Sequence, residues 1–228
     1  ALGPEVASAL TSRGYSVTRI AGADRYETAA AVAKEAGAAA VGQDGGRRTA
    51  VLSSGSSYPD ALAAGGIVFA QHFPQLLSTQ AGLSPAASAA LTDLGIQHVI
   101  ITGGPNALGQ LVETGINLMG ITTERVAGAD RYATSIALAD LAVDRYGFAA
   151  GHLDVATGQA FPDALTAGAH VGTTRSPLLL TLTKNLSPGI CGYIERRGGV
   201  SAGHVIGGPV AVDSLVKYLL EECIQPNG

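Results

Sequence analysis

RIAGADRYET, at residues 19–28, returns later in the chain as RVAGADRYAT at residues 125–134. YPDALAAG, at residues 58–65, likewise returns as FPDALTAG at residues 161–168. Two shorter blocks recur in the same order, namely LSP at residues 83–85 and 186–188, and GGP at residues 103–105 and 207–209. Blocks that recur in a fixed order, with spacings that differ by only a few residues, indicate an internal duplication in which each copy is one structural unit.

The start of the chain resembles the end of a copy rather than its beginning. The stretch ALGPEVASAL from Ala1 aligns without a gap to ALGQLVETGI from Ala107. We therefore predict that residues 1–16 are the tail of an incomplete upstream repeat, residues 17–122 the first complete repeat, and residues 123–228 the second. The natural protein is then expected to carry at least one further repeat before Ala1.

Each repeat alternates predicted strands and helices. In the first repeat, Asp24 is a predicted N-cap with Glu27 at the capping-box position. Residues 49–54 form a short β-rich run, and Ser84 with Pro85 predicts the start of another helix. Short apolar strands separated by helices are typical of a parallel sheet with helices on both faces. The predicted fold class is therefore α/β, with two tandem homologous modules of this kind.

Composition and charge exclude several classes of function. The 228 residues include 14% charged side chains and carry a net charge of −4, and the longest basic runs are Arg47 with Arg48 and Arg196 with Arg197. The footprint of a nucleic-acid-binding protein is therefore missing. No apolar run reaches the roughly 18 residues of a membrane span. The five histidines are not spaced as metal ligands, so we predict neither a metal nor a cofactor.

The paired AGADRY blocks, the PDALAAG and PDALTAG blocks and the two GGP turns resemble the cell-wall-binding repeat type 2 family, over essentially the whole chain. The resemblance implies a secreted, non-catalytic module that holds Gram-positive surface proteins on the cell wall. Each repeat is then a Toprim-like α/β unit, and three tandem copies usually pack around a pseudo-threefold axis. The implied partner is an anionic secondary wall polymer or a peptidoglycan-associated glycan. Because this chain has two complete copies, we expect further repeats of the same protein, or a homo-oligomer, to complete the packing.

Two arginines are candidate polymer-binding residues at predicted helix starts. Arg25 and Arg131 follow Asp24 and Asp130, where free backbone N–H groups and the helix dipole favour anions. In the alternative interpretation, both aspartates simply cap their helices and each arginine pairs with a neighbouring carboxylate.

Further candidates lie at the ends of predicted strands. Asp60 and Asp163 follow a strand at the edge where open α/β sheets usually bind ligands, although each is also a good N-cap for the next helix. The turn glycines offer backbone N–H groups to an anion, or simply form a tight exit from a strand, and they are Gly103, Gly104, Gly207 and Gly208. In the family, a strand motif of the type Ile-Leu-Leu is linked to anchoring. The resemblance places that motif at Gln75, Leu76 and Leu77, where Gln75 departs from it, and at Leu178, Leu179 and Leu180.

The second repeat alone contains cysteines, at Cys191 and Cys223. They form one disulfide or remain a pair of buried free thiols. His98 and His204 are interpreted as matching positions before their strands, repeated by the duplication.

Two other functions compete with wall anchoring. The loop from Ser53 to Asp60 is rich in serine and follows a strand, as in a hydrolase. The equivalent loop of the second repeat, TGQAFPD, contains no serine, and no histidine recurs with the serines as a general base would. The other competitor is a structural protein-interaction or self-assembly module, which differs from wall anchoring only in its ligand.

Overall fold

The computed structural model describes residues 2–225 of the chain. Ala1, where the predicted tail begins, and residues 226–228 of the predicted second repeat lie outside the described residues. The helices are α1 (Pro4–Thr11), α2 (Arg25–Glu35), α3 (Pro59–Ala63), α4 (Gly65–Gln71), α5 (Pro85–Asp93), α6 (Gln110–Leu118), α7 (Arg131–Tyr146), α8 (Phe161–Thr174), α9 (Ile190–Arg197) and α10 (Ser214–Ile224). The strands are β1 (Gln43–Asp44), β2 (Arg47–Ser54), β3 (Gln75–Ser78), β4 (His98–Thr102), β5 (Thr122–Val126), β6 (His152–Thr157), β7 (Leu178–Thr181) and β8 (Ala202–Ile206). Between residues 2 and 225, no helix has the length and apolar character needed to cross a membrane.

The strands form two mainly parallel sheets. The first module, which runs from α2 to β5, has the strand order β3–β2–β4–β5, with a short antiparallel hairpin between β1 and β2. The second module, which runs from α7 to α10, has the order β7–β6–β8 with all pairs parallel. Strands β4 and β7 are buried along their whole length, as expected when helices cover a parallel sheet. The predicted α/β class with two related modules is confirmed.

Most of β5 belongs in sequence to the predicted second repeat, but the strand lies in the sheet of the first module. Its residues pair with β4 from Thr122 opposite His98 to Val126 opposite Thr102. The predicted boundary between residues 122 and 123 therefore lies inside this strand. The aligned residues 16–20 are exposed and belong to no strand. In the part of the chain described here, β8 pairs only with β6, so nothing takes the place that β5 has in the first sheet.

The two modules share an apolar core. Its buried residues include Ile67 of the first module and Leu138 and Val171 of the second. Helices α4 and α8 cross closely, because a Cβ added at Gly65 would lie 3.2 Å from the Cα atom of Gly168. These two glycines are equivalent positions of the recurring PDALAAG and PDALTAG blocks. The axis that relates the modules therefore passes close to this crossing.

α1 is exposed, whereas the helix that aligns with it, α6, is buried on one face. Val112 and Ile116 of α6 have no accessible surface. The aligned residues of α1, Val6 and Leu10, are 38% and 41% exposed. The same apolar pattern forms a helix in both places, but only α6 has a sheet to pack against.

The predicted N-caps are correct in the two AGADRY blocks and wrong in the PDALAAG and PDALTAG blocks. Asp24 and Asp130 each accept hydrogen bonds from two backbone N–H groups at the starts of α2 and α7, as predicted. The prediction that Asp60 and Asp163 are N-caps is wrong. α3 and α8 begin one and two residues earlier, so both carboxylates lie inside the first helical turn.

A disulfide joins the last two helices. Cys191 in α9 and Cys223 in α10 are bonded, with their Cα atoms 5.2 Å apart, so the interpretation as free thiols is wrong. Tyr193 of α9 and Leu220 of α10 also lie in the core of the second module. The bond therefore fixes the C-terminal helix to a part of the module that is already packed.

Candidate functional site

In each module, an aspartate and a glycine turn meet at the carboxyl edge of the sheet. A Cβ added at Gly103 would lie 2.2 Å from Oδ2 of Asp60, and a Cβ added at Gly207 would lie 2.8 Å from Oδ2 of Asp163. The φ angles of Gly103 and Gly207 are 92° and 125°, in the region that favours glycine. Both the turn and the neighbouring carboxylate therefore require glycine. The structure brings together, twice, residues that were predicted separately.

Asp60 lies at the junction between the modules, whereas Asp163 is partly exposed. Asp60 is 8% exposed and interacts with Arg131 and Thr134 at the start of α7. Burial raises the pKa of Asp60, while the Arg131 guanidinium and a hydrogen bond with Thr134 act in the opposite direction. Of the two carboxylates, that of Asp163 is therefore the more accessible to a ligand.

Arg25 and Arg131 make the same contact in the two modules. Nη1 of Arg25 donates to the carbonyl oxygen of Gly55 at 2.6 Å, and Nη1 of Arg131 donates to that of Gly158 at 2.7 Å. Each arginine thereby holds the loop between the first long strand of its module and the helix that carries the aspartate. In both modules the hydrogen-bond acceptor is a carbonyl oxygen, and Arg131 in addition interacts electrostatically with the Asp60 carboxylate, as in the alternative interpretation.

The outer glycine of each turn is open. A Cβ added at Gly104 or Gly208 would meet no atom within 4 Å. The carboxyl edge of each sheet therefore combines a guanidinium group, a carboxylate and accessible backbone. The guanidinium and backbone N–H groups can hydrogen-bond the anionic groups of a ligand, and the partly exposed carboxylate of Asp163 can accept hydrogen bonds from its hydroxyl groups.

The leucines of the predicted anchoring motif lie mainly in the core. Leu76, Leu179 and Leu180 have no accessible surface, whereas Leu77 is partly exposed. Gln75, at which the first copy departs from the motif, donates a hydrogen bond from Nε2 to a carbonyl oxygen of α3 at 2.8 Å. Leu178 is also buried, at 3% exposed. A ligand can therefore touch Leu77 directly, and the other four leucines can act on binding only through the shape of the sheet.

The serine-rich loop has structural contacts. Ser53 is fully buried, and its hydroxyl lies 2.8 Å from the hydroxyl of Thr102. Oγ of Ser54 accepts hydrogen bonds from the backbone N–H groups of Ser56 and Ser57, each at 3.2 Å. These contacts account for the hydroxyl groups of Ser53 and Ser54 without a nucleophilic role.

A groove of about 1010 Å³ opens beside α2. Its lining includes Val32 of α2, Leu62 of α3, Leu77 of β3 and Leu165 of α8. Val32 is 54% exposed, whereas its counterpart in α7, Leu138, is 1% exposed because α3 and α4 pack on α7. This α2 groove therefore corresponds to the face of the second module that the first module covers. Sequence analysis did not identify it.

Sequence analysis also missed a cluster of histidines around Asp154. His204 lies opposite Asp154 in the pairing of β6 with β8, and His152 precedes Asp154 by two residues on β6. The interpretation of His98 and His204 as matching positions is wrong, because counting back from the shared GGP turn aligns His98 with Ala202. The histidines are far apart in the chain, and only the strand pairing brings them together. The available signal was the alternation of His152 and Asp154 on one face of a strand.

The chain is similar to two curated proteins that are much longer. It is 27% identical over 201 residues to the N-acetylmuramoyl-L-alanine amidase LytC of Bacillus subtilis, a match that covers 88% of this chain and 38% of that protein. It is 32% identical over 119 residues to an uncharacterized protein of Pyrococcus horikoshii, which covers 52% of this chain and 33% of the relative. The chain thus spans well under half the length of these relatives.

Two solved structures share the fold. Cwp6 from Clostridium difficile matches with a TM-score of 0.77 and 22% identity, over 90% of this chain and 31% of that one. Cwp8 from Clostridium difficile matches with a TM-score of 0.71 and 22% identity, over 96% of this chain and 35% of that one. The family model described as Cell wall binding domain 2 (CWB2) matches residues 19–113 and 125–217, one segment for each copy of the recurring blocks. The chain therefore belongs to the Cell wall binding domain 2 family.

Proposed function

We propose that the chain is a non-catalytic, secreted module that attaches its protein to the cell wall by binding an anionic secondary wall polymer non-covalently. The observation that carries this proposal is the duplicated carboxyl edge, where an arginine at a capped helix start lies in the same part of the module as an aspartate and an open glycine turn. Membership of a cell wall binding family supports the wall as the location. The disulfide supports an oxidising compartment outside the cytosol.

The anionic groups of the polymer need local positive charge, because the chain as a whole has a net charge of −4. Arg25 and Arg131 supply it at the first residue of α2 and of α7, where the helix dipole adds to the charge. Arg196 and Arg197 are less suitable, because both pair with Asp140 of α7. We therefore assign the anionic groups of the polymer to Arg25 and Arg131.

Repetition makes weak sites effective. Once one module has bound a long polymer, binding of the second module is intramolecular and depends on the effective concentration of polymer near it. Loss of either site should then weaken attachment by roughly tenfold or more, because avidity gains of about 10²–10⁴ depend on simultaneous contact.

Sedimentation of the purified chain with isolated cell walls tests this proposal. We expect Arg25→Gln and Arg131→Gln each to weaken binding, and the double variant to lose it. Lys217→Gln on α10 removes an exposed charge as a matched control and should bind like the parent chain. Rising salt should weaken binding, because it screens exposed charges.

The same assay contains the results that would contradict the proposal. Binding that survives chemical removal of the anionic polymers from the walls would exclude them as the ligand. Full binding by the double arginine variant would exclude the assigned site. Thermal unfolding of each variant shows whether lost binding reflects lost folding.

The α2 groove favours a second candidate function, which is packing against another copy of the repeat. α3 and α4 of the first module cover α7 of the second, and the same elements of another copy would fill the groove on α2. Val32→Glu places a charge in the groove and should abolish concentration-dependent self-association in sedimentation velocity. Lys34→Gln changes the net charge of α2 equally and should leave self-association intact. A parent chain that remains monomeric at every concentration would contradict packing against a second chain.

A further inference from the structure

Three imidazole groups converge on one carboxylate in the second module. Nδ1 of His204 lies 2.7 Å from Oδ1 of Asp154, and Nε2 of His152 lies 3.2 Å from the same oxygen. The two imidazole nitrogens are themselves 3.2 Å apart. His170, from α8, places Nε2 3.7 Å from Oδ2 of Asp154, and its ring centroid is 5.3 Å from that of His204. Two strands and a helix therefore each contribute a group to one point.

The carboxylate at the centre of this cluster is buried. Asp154 has no accessible surface, and Oδ1 also accepts a hydrogen bond from the backbone N–H of His204 at 3.0 Å, while Oδ2 accepts one from the hydroxyl of Ser176. Within residues 2–225, none of the recorded hydrogen bonds or ion pairs of Asp154 comes from a lysine or an arginine. A buried carboxylate is costly without a compensating cation. The hydrogen bonds from Ser176 and the His204 backbone fix its orientation, as outer-shell partners of metal ligands do.

The spacing of these atoms suits a small transition-metal ion. Zn²⁺ binds imidazole nitrogen and carboxylate oxygen at about 2.0–2.2 Å in a tetrahedral arrangement, so neighbouring ligand atoms are then about 3.3–3.5 Å apart. The three separations among His152, Asp154 and His204 are 3.2, 2.7 and 3.2 Å. An outward movement of a few tenths of an ångström would open the space for the ion. We propose that these three residues bind one Zn²⁺ ion, with His170 as the further nitrogen donor.

The first module provides an internal comparison. The positions that correspond to Asp154 and His204 hold Val51 and Ile100, which are paired in the same register and are buried in the apolar core. The duplication therefore predicts one metal ion per chain, bound by the second module alone.

The first module has a different group of possible ligands, formed by Asp44, His98 and Glu124. There Nη1 of Arg145 donates to Glu124 at 2.6 Å and to Asp44 at 3.2 Å. The guanidinium group already supplies the positive charge that a metal ion would bring. The Asp44 group is therefore neutralised by arginine, whereas within residues 2–225 no hydrogen bond or ion pair joins Asp154 to a lysine or an arginine.

Zinc at the Asp154 cluster would have a structural role. β8 is an edge strand bonded only to β6, in the part of the chain described, and its first three residues are exposed. His204 lies on β8, whereas the other ligands lie on β6 and α8. An ion held by all of them would fasten the edge strand to the rest of the module.

Calorimetric titration of the metal-stripped chain with ZnCl₂, on protein without an affinity tag, tests the proposal. We expect one saturable site per chain, with binding weakened at least tenfold by His152→Ala or by His204→Ala. His72→Asn is the matched control, because it removes an exposed imidazole at a left-handed residue outside the cluster, a conformation that asparagine tolerates. This control should bind Zn²⁺ like the parent chain.

Thermal unfolding gives a second, independent readout. A ligand at about 100 times its Kd should raise the midpoint of the parent chain and of His72→Asn by roughly 5–10 °C. Without metal, the cluster variants should unfold cooperatively at or below the parent midpoint, because each loses a hydrogen bond to the buried Asp154. Zn²⁺ should shift that midpoint little, and a cooperative transition that Zn²⁺ does not shift separates lost binding from lost folding. The absence of a saturable site in the parent chain, or equal affinity after either cluster substitution, would overturn the proposal.

Discussion

Leu138 and Val32 occupy the same position in the two copies of one helix, and we predict that shortening them to alanine has different consequences. Leu138 is 1% exposed and lies in the core that the modules share. Val32 is 54% exposed in the α2 groove. Comparing the two alanine substitutions therefore measures how much the packing of one module on the other adds to the free energy of unfolding at a single helix position.

The expected difference follows from burial. Leu138→Ala should lower the free energy of unfolding by about 3 kcal/mol, within the roughly 2–5 kcal/mol usual for a buried leucine. Val32→Ala loses up to about 1 kcal/mol of partial burial but gains about 0.5 kcal/mol of helix propensity. Its net effect should therefore stay near or below about 0.5 kcal/mol. The midpoint of thermal unfolding should fall by roughly 6–12 °C for Leu138→Ala, and by about 2 °C or less for Val32→Ala.

Urea unfolding of both variants, at concentrations where the chain is monomeric, provides the measurement. Similar slopes of free energy against urea would show that the variants expose the same surface on unfolding, so that their midpoints can be compared. Equal losses at the two positions would refute the shared core. A loss above about 2 kcal/mol at Val32 in the monomer would show that the groove is filled by part of the same chain.

Three further predictions concern other contacts. In α4, Gly66→Ala places a Cβ 2.7 Å from a methyl group of α8 and should destabilise the chain by about 1 kcal/mol or more. In α6, Gly115→Ala meets only ordinary van der Waals contacts and should stabilise the chain by about 0.5–1 kcal/mol. Urea unfolding measures both effects. Replacing Cys191 and Cys223 by serine opens a loop with a sequence separation of 32 and should cost about 4 kcal/mol, with reductant affecting only the parent chain. Burial raises the pKa of Asp60 in the folded chain. The protonated carboxyl group therefore stabilises the folded chain at low pH, and this stabilisation is lost as the pH rises through the raised pKa. Asp60→Asn should therefore be more stable than the parent chain at neutral pH, and the difference should shrink as the pH falls to about 4, which unfolding curves across this range would reveal.

Features that depend on neighbouring residues were predictable from the sequence. Asp24 and Asp130 cap their helices as predicted, because an N-cap contacts N–H groups only two or three residues away. Asp60 and Asp163 show the limit of the same reasoning. α3 begins at the proline before Asp60, and α8 begins one residue before its proline, so the aspartates face the glycine turns instead of capping. Their position at the carboxyl edge was predictable, but their contact with the turns was not.

The recurring blocks by themselves determined that the chain is a duplicated α/β protein of a wall-binding family, because motif order and local periodicity are carried by residues close together in the chain. Only the tertiary structure decided which copy of each position is buried. Leu138 is covered and Val32 is open because the first module packs on the second, while no element within residues 2–225 covers the groove face of α2. The same applies to His152, Asp154 and His204, which meet only because β6 pairs with β8. Contacts between distant segments depend on strand order and on which module covers which face, and two copies of one sequence pattern can differ in both.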